Sequence, residues 1–240
     1  MSRPVRVAFA VEGDTDLIML KAAVSSLLAG REFVPTLLQP QDSEILQPAV
    51  APTPGGWPGV YRWCQQTSSR VNGRLREDPL FQNHDLLVLQ LDADVAGTTY
   101  ARGHIQDPIQ DLPCDEPCPP PDATTNLLRQ VLLRWMHEHD APPRTVLCTP
   151  SKALEAWVLV ALYPNDRVVK SGGVECKESP ENLLSAKPAA ERLVRHGKKV
   201  VEKYEDRAQD FANAWPQVRV VCSEAERFSR EFLAVVPPQQ

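Results

Sequence analysis

At 240 residues the chain is long enough for one large domain or two small ones. Hydrophobic residues at 42% and charged residues at 24% exclude a charge-rich disordered chain, and no apolar run reaches the roughly 18 residues that a membrane-spanning helix needs. A formal net charge of -5 excludes a globally basic nucleic-acid binder, so contact with nucleic acid must use a local basic patch or metal ions.

The first six residues, Met1-Ser2-Arg3-Pro4-Val5-Arg6, lead into a strand-like segment with no signal-peptide cleavage pattern. Six cysteines (Cys64, Cys114, Cys118, Cys148, Cys176 and Cys222) are too dilute for a disulfide scaffold, and together these features predict a reducing, cytoplasmic compartment. Residues 6–11 form a short apolar run that suits a buried parallel strand, stopped by Glu12-Gly13. A helix follows, capped by Asp14 or Thr15, with Leu17, Leu20, Val24, Leu27 and Leu28 at three- and four-residue steps until Gly30. Prolines and glycines make 39–58 a surface loop, and 60–76 reads as an arginine-bearing helix weakened at Asn72-Gly73. The apolar run 86–91 is a second strand ending in Asp92-Ala93-Asp94.

Residues 97–122 show no periodicity and are proline-rich, which predicts an insertion that is either disordered or a lid. Thr124 or Thr125 caps the next helix, whose face is Leu127, Leu128, Val131, Leu132, Trp135 and Met136, and 144–148 is a third strand. Residues 152–162 form a mostly buried helix in which Glu155 is the one acid. After irregular 164–187, the stretch 188–215 reads as one or two charged helices, 217–222 as a final strand, and Ser223-Glu224-Ala225-Glu226 as a capping box opening a last helix. Strand and helix units in succession predict an α/β fold: a mostly parallel sheet with helices on both faces and a helical C-terminal region. Residues 1–160 form the α/β core with its Pro-rich insertion near 97–122, and 161–240 form a helical extension whose final strand and helix complete the same domain.

Ligands in open parallel sheets collect outside the carboxyl ends of the strands, where Glu12, Asp92 and Asp94 fall. Three carboxylates at one edge repel unless they are protonated or bridged by a cation, and a hard divalent ion resolves that conflict. The competing structural reading makes Glu12 and Asp14 helix caps and Asp92 and Asp94 turn residues. Glu155 on an apolar helix must find a partner, either the acidic cluster and the neighbourhood of Lys152 or a structural group such as an arginine. His104, Cys114 and Cys118 read as part of a zinc site or as unpaired loop thiols. The basic positions Arg192, Arg195, His196, Lys198, Lys199 and Lys203 are a solvated helix face or, if they line a groove, a phosphate-binding surface.

Val11-Glu12-Gly13-Asp14-Thr15-Asp16 before a helix, followed by Leu91-Asp92-Ala93-Asp94 at a strand end, resembles the TOPRIM fold of topoisomerases, primases, OLD-family nucleases and RloB-type proteins. Pro150-Ser151-Lys152-Ala153-Leu154-Glu155-Ala156-Trp157-Val158-Leu159 resembles the Glu-x-Trp-Leu-Leu helix of the small stand-alone, RloB-type members, so the likeness spans roughly residues 5 to 160. The resemblance implies a cytoplasmic phosphodiesterase or nuclease acting in defence against phage or plasmids. Glu12 would serve in acid-base chemistry or as a metal ligand, Asp92 and Asp94 would hold Mg²⁺ (or Mn²⁺), Lys152 would neutralise a phosphate oxygen, and Glu155 would support the catalytic group. Apart from the resemblance, Arg195, Lys198 and Lys199 would contact nucleic acid if the basic positions line a groove. The implied partners are a nucleic acid or nucleotide substrate and a separately encoded ATPase or sensor protein, since the chain has no Gly-x-x-x-x-Gly-Lys-Ser/Thr motif; no membrane is expected, and a homo-oligomer stands open. Two other classes stand beside it: a non-catalytic nucleotide- or nucleic-acid-binding sensor or regulatory subunit, and a plain α/β domain whose acids are caps.

Overall fold

The computed structural model describes residues 3–40, 55–106, 110 and 112–238. In chain order its elements are β1 (Val5–Ala10), α1 (Asp14–Leu27), β2 (Phe33–Gln39), α2 (Trp57–Val71), α3 (Leu80–Asn83), β3 (Leu86–Gln90), α4 (Asp122–Trp135), β4 (Thr145–Cys148), α5 (Glu155–Leu162), α6 (Arg167–Lys170), α7 (Pro180–Ser185), β5 (Val194–Arg195), β6 (Lys198–Lys199), α8 (Val201–Val221) and α9 (Ser223–Val235). The first four strands form one parallel sheet in the order β2-β1-β3-β4. The fold is α/β, with helices flanking the sheet and a helical C-terminal region.

Strict alternation along the strands divides the interior into two cores. Val5, Val7, Phe9 and Val11, with Leu86, Val88, Val146 and Cys148, face α1, α5, α8 and α9. The intervening Ala8, Ala10, Leu87, Leu89, Leu91 and Leu147 face α2 and α4. Burial on both faces is why these strands read as unbroken apolar runs. Tyr204, Phe211 and Trp215 of α8 and Phe228 and Phe232 of α9 belong to the same core as α1, so the C-terminal region packs into the sheet's own interior.

The connections leave β1 and β3 on opposite faces. From β1 the chain crosses through α1 to β2, and from the adjacent β3 it crosses through α4 to β4 on the other side. Adjacent strands whose helices diverge in this way open a crevice at their carboxyl ends.

Several expectations are corrected. The final strand at 217–222 is the last part of α8: Phe211, Trp215, Val218 and Cys222 recur at helical spacing and are buried, while Val220 is 81% exposed. The charged helix expected from residue 188 starts only at Val201, and Arg195, Lys198 and Lys199 lie on the β5–β6 hairpin. β2 is a strand without the buried apolar run that marks the other three strands of its sheet. The capping box does not form. Ser223 and Glu224 donate their backbone N–H groups to the Glu175 carboxylate at 2.7 and 3.1 Å, and Glu226 pairs with Arg219. Most of the 39–58 loop lies outside the described residues, as do 107–109 and 111 of the insertion.

Candidate functional site

Chain geometry at the end of β3 and β4 sets the site. The ladder between them continues past the strands: Leu91, Ala93 and Asp94 donate backbone N–H groups to the carbonyls of Cys148, Pro150 and Lys152, the last at 2.7 Å. Asp94 is thereby held beside Lys152. Between β1 and β3 the side chain of Gln90, buried in an otherwise apolar strand, takes over as the bridge. Its Oε1 accepts from Glu12 N at 2.9 Å and its Nε2 donates to Asp92 Oδ1 at 2.8 Å. Asp92 N in turn donates to Glu12 Oε1 at 2.7 Å, and Leu154 N, just before α5, donates to Asp92 Oδ1 at 3.2 Å. The start of α2 closes one side: Gly56 donates its N–H to the Glu12 carbonyl at 2.7 Å from a left-handed φ of 75°, a conformation that favours glycine.

Glu12, Asp92 and Asp94 thus lie together at the crevice, Asp92 buried and Asp94 exposed. Two further acids join them. Asp16, on the first turn of α1, and Glu155, the first residue of α5, are both buried, and each offers with Asp92 a carboxylate oxygen such that the three atoms lie within 4.8 Å of one another. Lys199 of β6 enters the same centre. Its Nζ lies 2.7 Å from Glu155 Oε1 and 3.5 Å from Asp16 Oδ1. Tyr204 of α8 donates its hydroxyl to Glu155 Oε1 at 3.0 Å. The C-terminal region therefore supplies both the ammonium and the hydroxyl that hold Glu155.

Crowding perturbs the acids. Burial, reinforced by the charges of Asp94 and Asp16, pushes Glu12 up to about 8. Burial also pushes Asp16 up to about 6, against the pull of Lys199; Asp94, exposed as a residue but partly desolvated at its carboxyl in the crevice, is raised to about 6 with help from Glu181. Asp92 stands well above the ordinary aspartate value through burial and the neighbouring Asp16 and Glu12 charges. Burial works against the charge of Lys199, yet Asp16 and Glu155 raise it well above an ordinary lysine.

The other residues singled out in the sequence are dispersed. Lys152, with a left-handed φ of 58°, is buried three residues before the first residue of the helix rather than in its first turn. Its Nζ contacts Asp115 Oδ2 of the insertion at 2.5 Å and Glu178 Oε1 at 2.8 Å. A cavity of about 230 Å³ opens there, lined by Asp94, Asp115, Lys152, Ala153, Glu178 and Glu181 among others. Arg195 and Lys198 are exposed; Arg195 donates to the Ala189 carbonyl. Lys199 faces the acids, not an outer nucleic-acid surface, because the hairpin turns it inward. Cys118 is neither a zinc ligand nor a free thiol, since it is disulfide-bonded to Cys176, whereas Cys114 is free and exposed.

Comparison with protein families, curated proteins and solved structures found no match. Among the described residues, no helix is long and apolar enough to cross a membrane.

Proposed function

We propose that the chain is a TOPRIM-type, Mg²⁺-dependent phosphodiesterase or nuclease of the cytoplasm, working as an effector against phage or plasmids. The observation that carries the chemistry is the convergence of Asp16, Asp92 and Glu155, with Glu12 and Asp94 beside them, at the crevice where the connections leaving β1 and β3 diverge. An all-carboxylate donor set suits a hard cation such as Mg²⁺ or Mn²⁺ and is a poor match for the softer metals that favour sulfur and imidazole. Asp16, Asp92 and Glu155 would hold the ion, which when bound supplies Lewis acidity and an activated water.

The remaining groups divide the work. Glu12, pushed up to about 8 in the metal-free centre by burial and by the Asp94 and Asp16 charges, is the carboxyl placed for the general acid or base role. Its position is maintained by the Asp92 N–H group. Asp94 is exposed at the cavity mouth, where it meets whatever enters. Tyr204 orients Glu155. A nucleic acid or nucleotide is the substrate class whose phosphodiester chemistry uses this set of groups.

One observation favours a non-catalytic, nucleotide- or nucleic-acid-sensing role: the Lys199 ammonium already pairs with two of the three clustered carboxylates. Divalent dependence separates the two readings. Asp92→Ala or Asp94→Ala abolishes Mn²⁺-dependent cleavage of labelled DNA, RNA or nucleotide while the fold persists; full cleavage in EDTA, or by the double alanine variant, refutes the metal mechanism.

A further inference from the structure

The insertion and the segment before α7 meet over Lys152, and two cysteines join them. Cys118 lies three residues after Asp115, and Cys176 two residues before Glu178. These two acids are the pair that contacts Lys152 Nζ. Cys118 is bonded to Cys176, and its Sγ lies 4.0 Å from Ser151 Oγ, next to Lys152. The carboxylates themselves are open to water, the Asp115 side chain 42% exposed and that of Glu178 79%. Ion pairs with so exposed a member hold weakly on their own. A covalent link between their segments keeps both near the ammonium, as tethering raises the effective concentration of any weak contact.

With the link closed, Lys152 is buried under two carboxylates, and the cavity beside Asp94 presents Asp94, Asp115, Glu178 and Glu181 against a single ammonium. Such a wall repels a phosphate. We propose that the Cys118–Cys176 disulfide is a redox strap that keeps the centre latent by masking Lys152, and that its reduction releases Asp115 and Glu178 and turns the Lys152 ammonium toward a phosphate group. In the reducing step a dithiol attacks one sulfur of the bond, forms a mixed disulfide and then closes on itself. The reductant loses two electrons and leaves as a cyclic disulfide, while Cys118 and Cys176 each gain an electron and a proton. A small-molecule disulfide reverses the exchange. The rise in activity rests on the phosphodiester reading above, whereas the masking of Lys152 does not.

The test uses the full chain, equilibrated with oxidised glutathione or with dithiothreitol. Alkylation under denaturing conditions should count four thiols in the oxidised chain, Cys64, Cys114, Cys148 and Cys222, and all six after reduction. Six thiols in both samples overturn the proposal. Acetylation of the native chain by an amine-reactive ester, followed by peptide mass spectrometry, should label Lys152 several-fold faster after reduction. The Cys118→Ser/Cys176→Ser variant should match the reduced chain under oxidising conditions, and Cys114→Ser should respond like the wild type. Equal Lys152 labelling in both states overturns the strap, and reduction of the wild type decides the matter if the double variant does not fold. Mn²⁺-dependent cleavage should rise several-fold on reduction; an unchanged or falling rate overturns latency. No cleavage in either state counts against the phosphodiester reading, with Lys152 labelling still deciding the strap.

Discussion

Replacing Lys199 with methionine removes the ammonium from the acidic centre while keeping most of the apolar stem. Glu155, only 1% exposed, is then left with Tyr204 as its remaining donor. Breaking a buried ion pair from one side costs about 3–5 kcal/mol. Because the Lys199 side chain is 33% exposed, water already screens part of the attraction, and we expect a loss of about 2–3 kcal/mol. For a chain of this length that corresponds to a fall in Tm of about 5–10 °C. The assay is thermal unfolding in EDTA. Lys199→Met/Glu155→Gln should regain most of the loss, since a neutral amide at 155 still accepts from Tyr204. Adding Mn²⁺ should raise the Tm of Lys199→Met more than that of the wild type, because the divalent ion no longer competes with a tethered ammonium for Asp16 and Glu155. A single variant within about 1 °C of wild type in EDTA, or a double variant no more stable than the single, would refute the reasoning.

The same centre makes stability depend on pH. Glu12 at about 8 and Asp16 and Asp94 at about 6 mean that these three groups hold more protons in the folded chain than in the unfolded one between about pH 4 and pH 8; without metal, their contribution to stability is therefore greatest below that window and falls as pH rises through it. Glu12→Gln should flatten the upper part of the Tm profile in EDTA, and an unchanged slope would remove Glu12 as its source. Gly103→Ala would put a methyl group 2.6 Å from the Trp57 ring and 3.0 Å from Pro58, an overpacking worth about 1–3 kcal/mol, seen as a lower Tm with altered tryptophan fluorescence. Arg129→Leu strands the buried Glu224 carboxylate, which lies 2.7 Å from Arg129 Nη1. It should cost about 3–5 kcal/mol in urea unfolding, with Arg129→Leu/Glu224→Leu recovering part.

Three of the four sheet strands were legible because their burial on both faces writes itself as apolar runs. β2 was not: it is an edge strand, half-buried along most of its length, with Pro35 in its middle, and proline is tolerated only at such an edge. The stretch 217–222 misled because Val218, Val220 and Val221 look like strand residues and Pro216 precedes them, although the three- and four-residue steps from Phe211 were the better signal. Glu12, Asp92 and Asp94 were readable from their place at strand ends. Asp16 had a local signal too, an acid one helical turn beyond Glu12. Gln90 was visible as a lone polar residue inside an apolar run. Lys199 and Tyr204 left no such mark, since only the tertiary fold carries β6 and α8 to the mouth of β1, and no local pattern encodes an approach between positions 16 and 199.

The side-chain bracket between the first and third strands has a consequence for how the acids respond to substitution. Glu12 is both a charge and an architectural strut, because its Oε1 receives the Asp92 N–H while its own N–H is held by Gln90. The amide of Glu12→Gln can still accept that hydrogen bond, so this variant reports the charge alone. Glu12→Ala removes charge and strut together and lets the two connecting loops drift apart. The difference between the two variants measures how much of a ligand's ordering cost has already been met during folding. A centre braced in this way needs little rearrangement on binding, and its carboxylates hold their mutual spacing through the main chain even when no ligand draws them together.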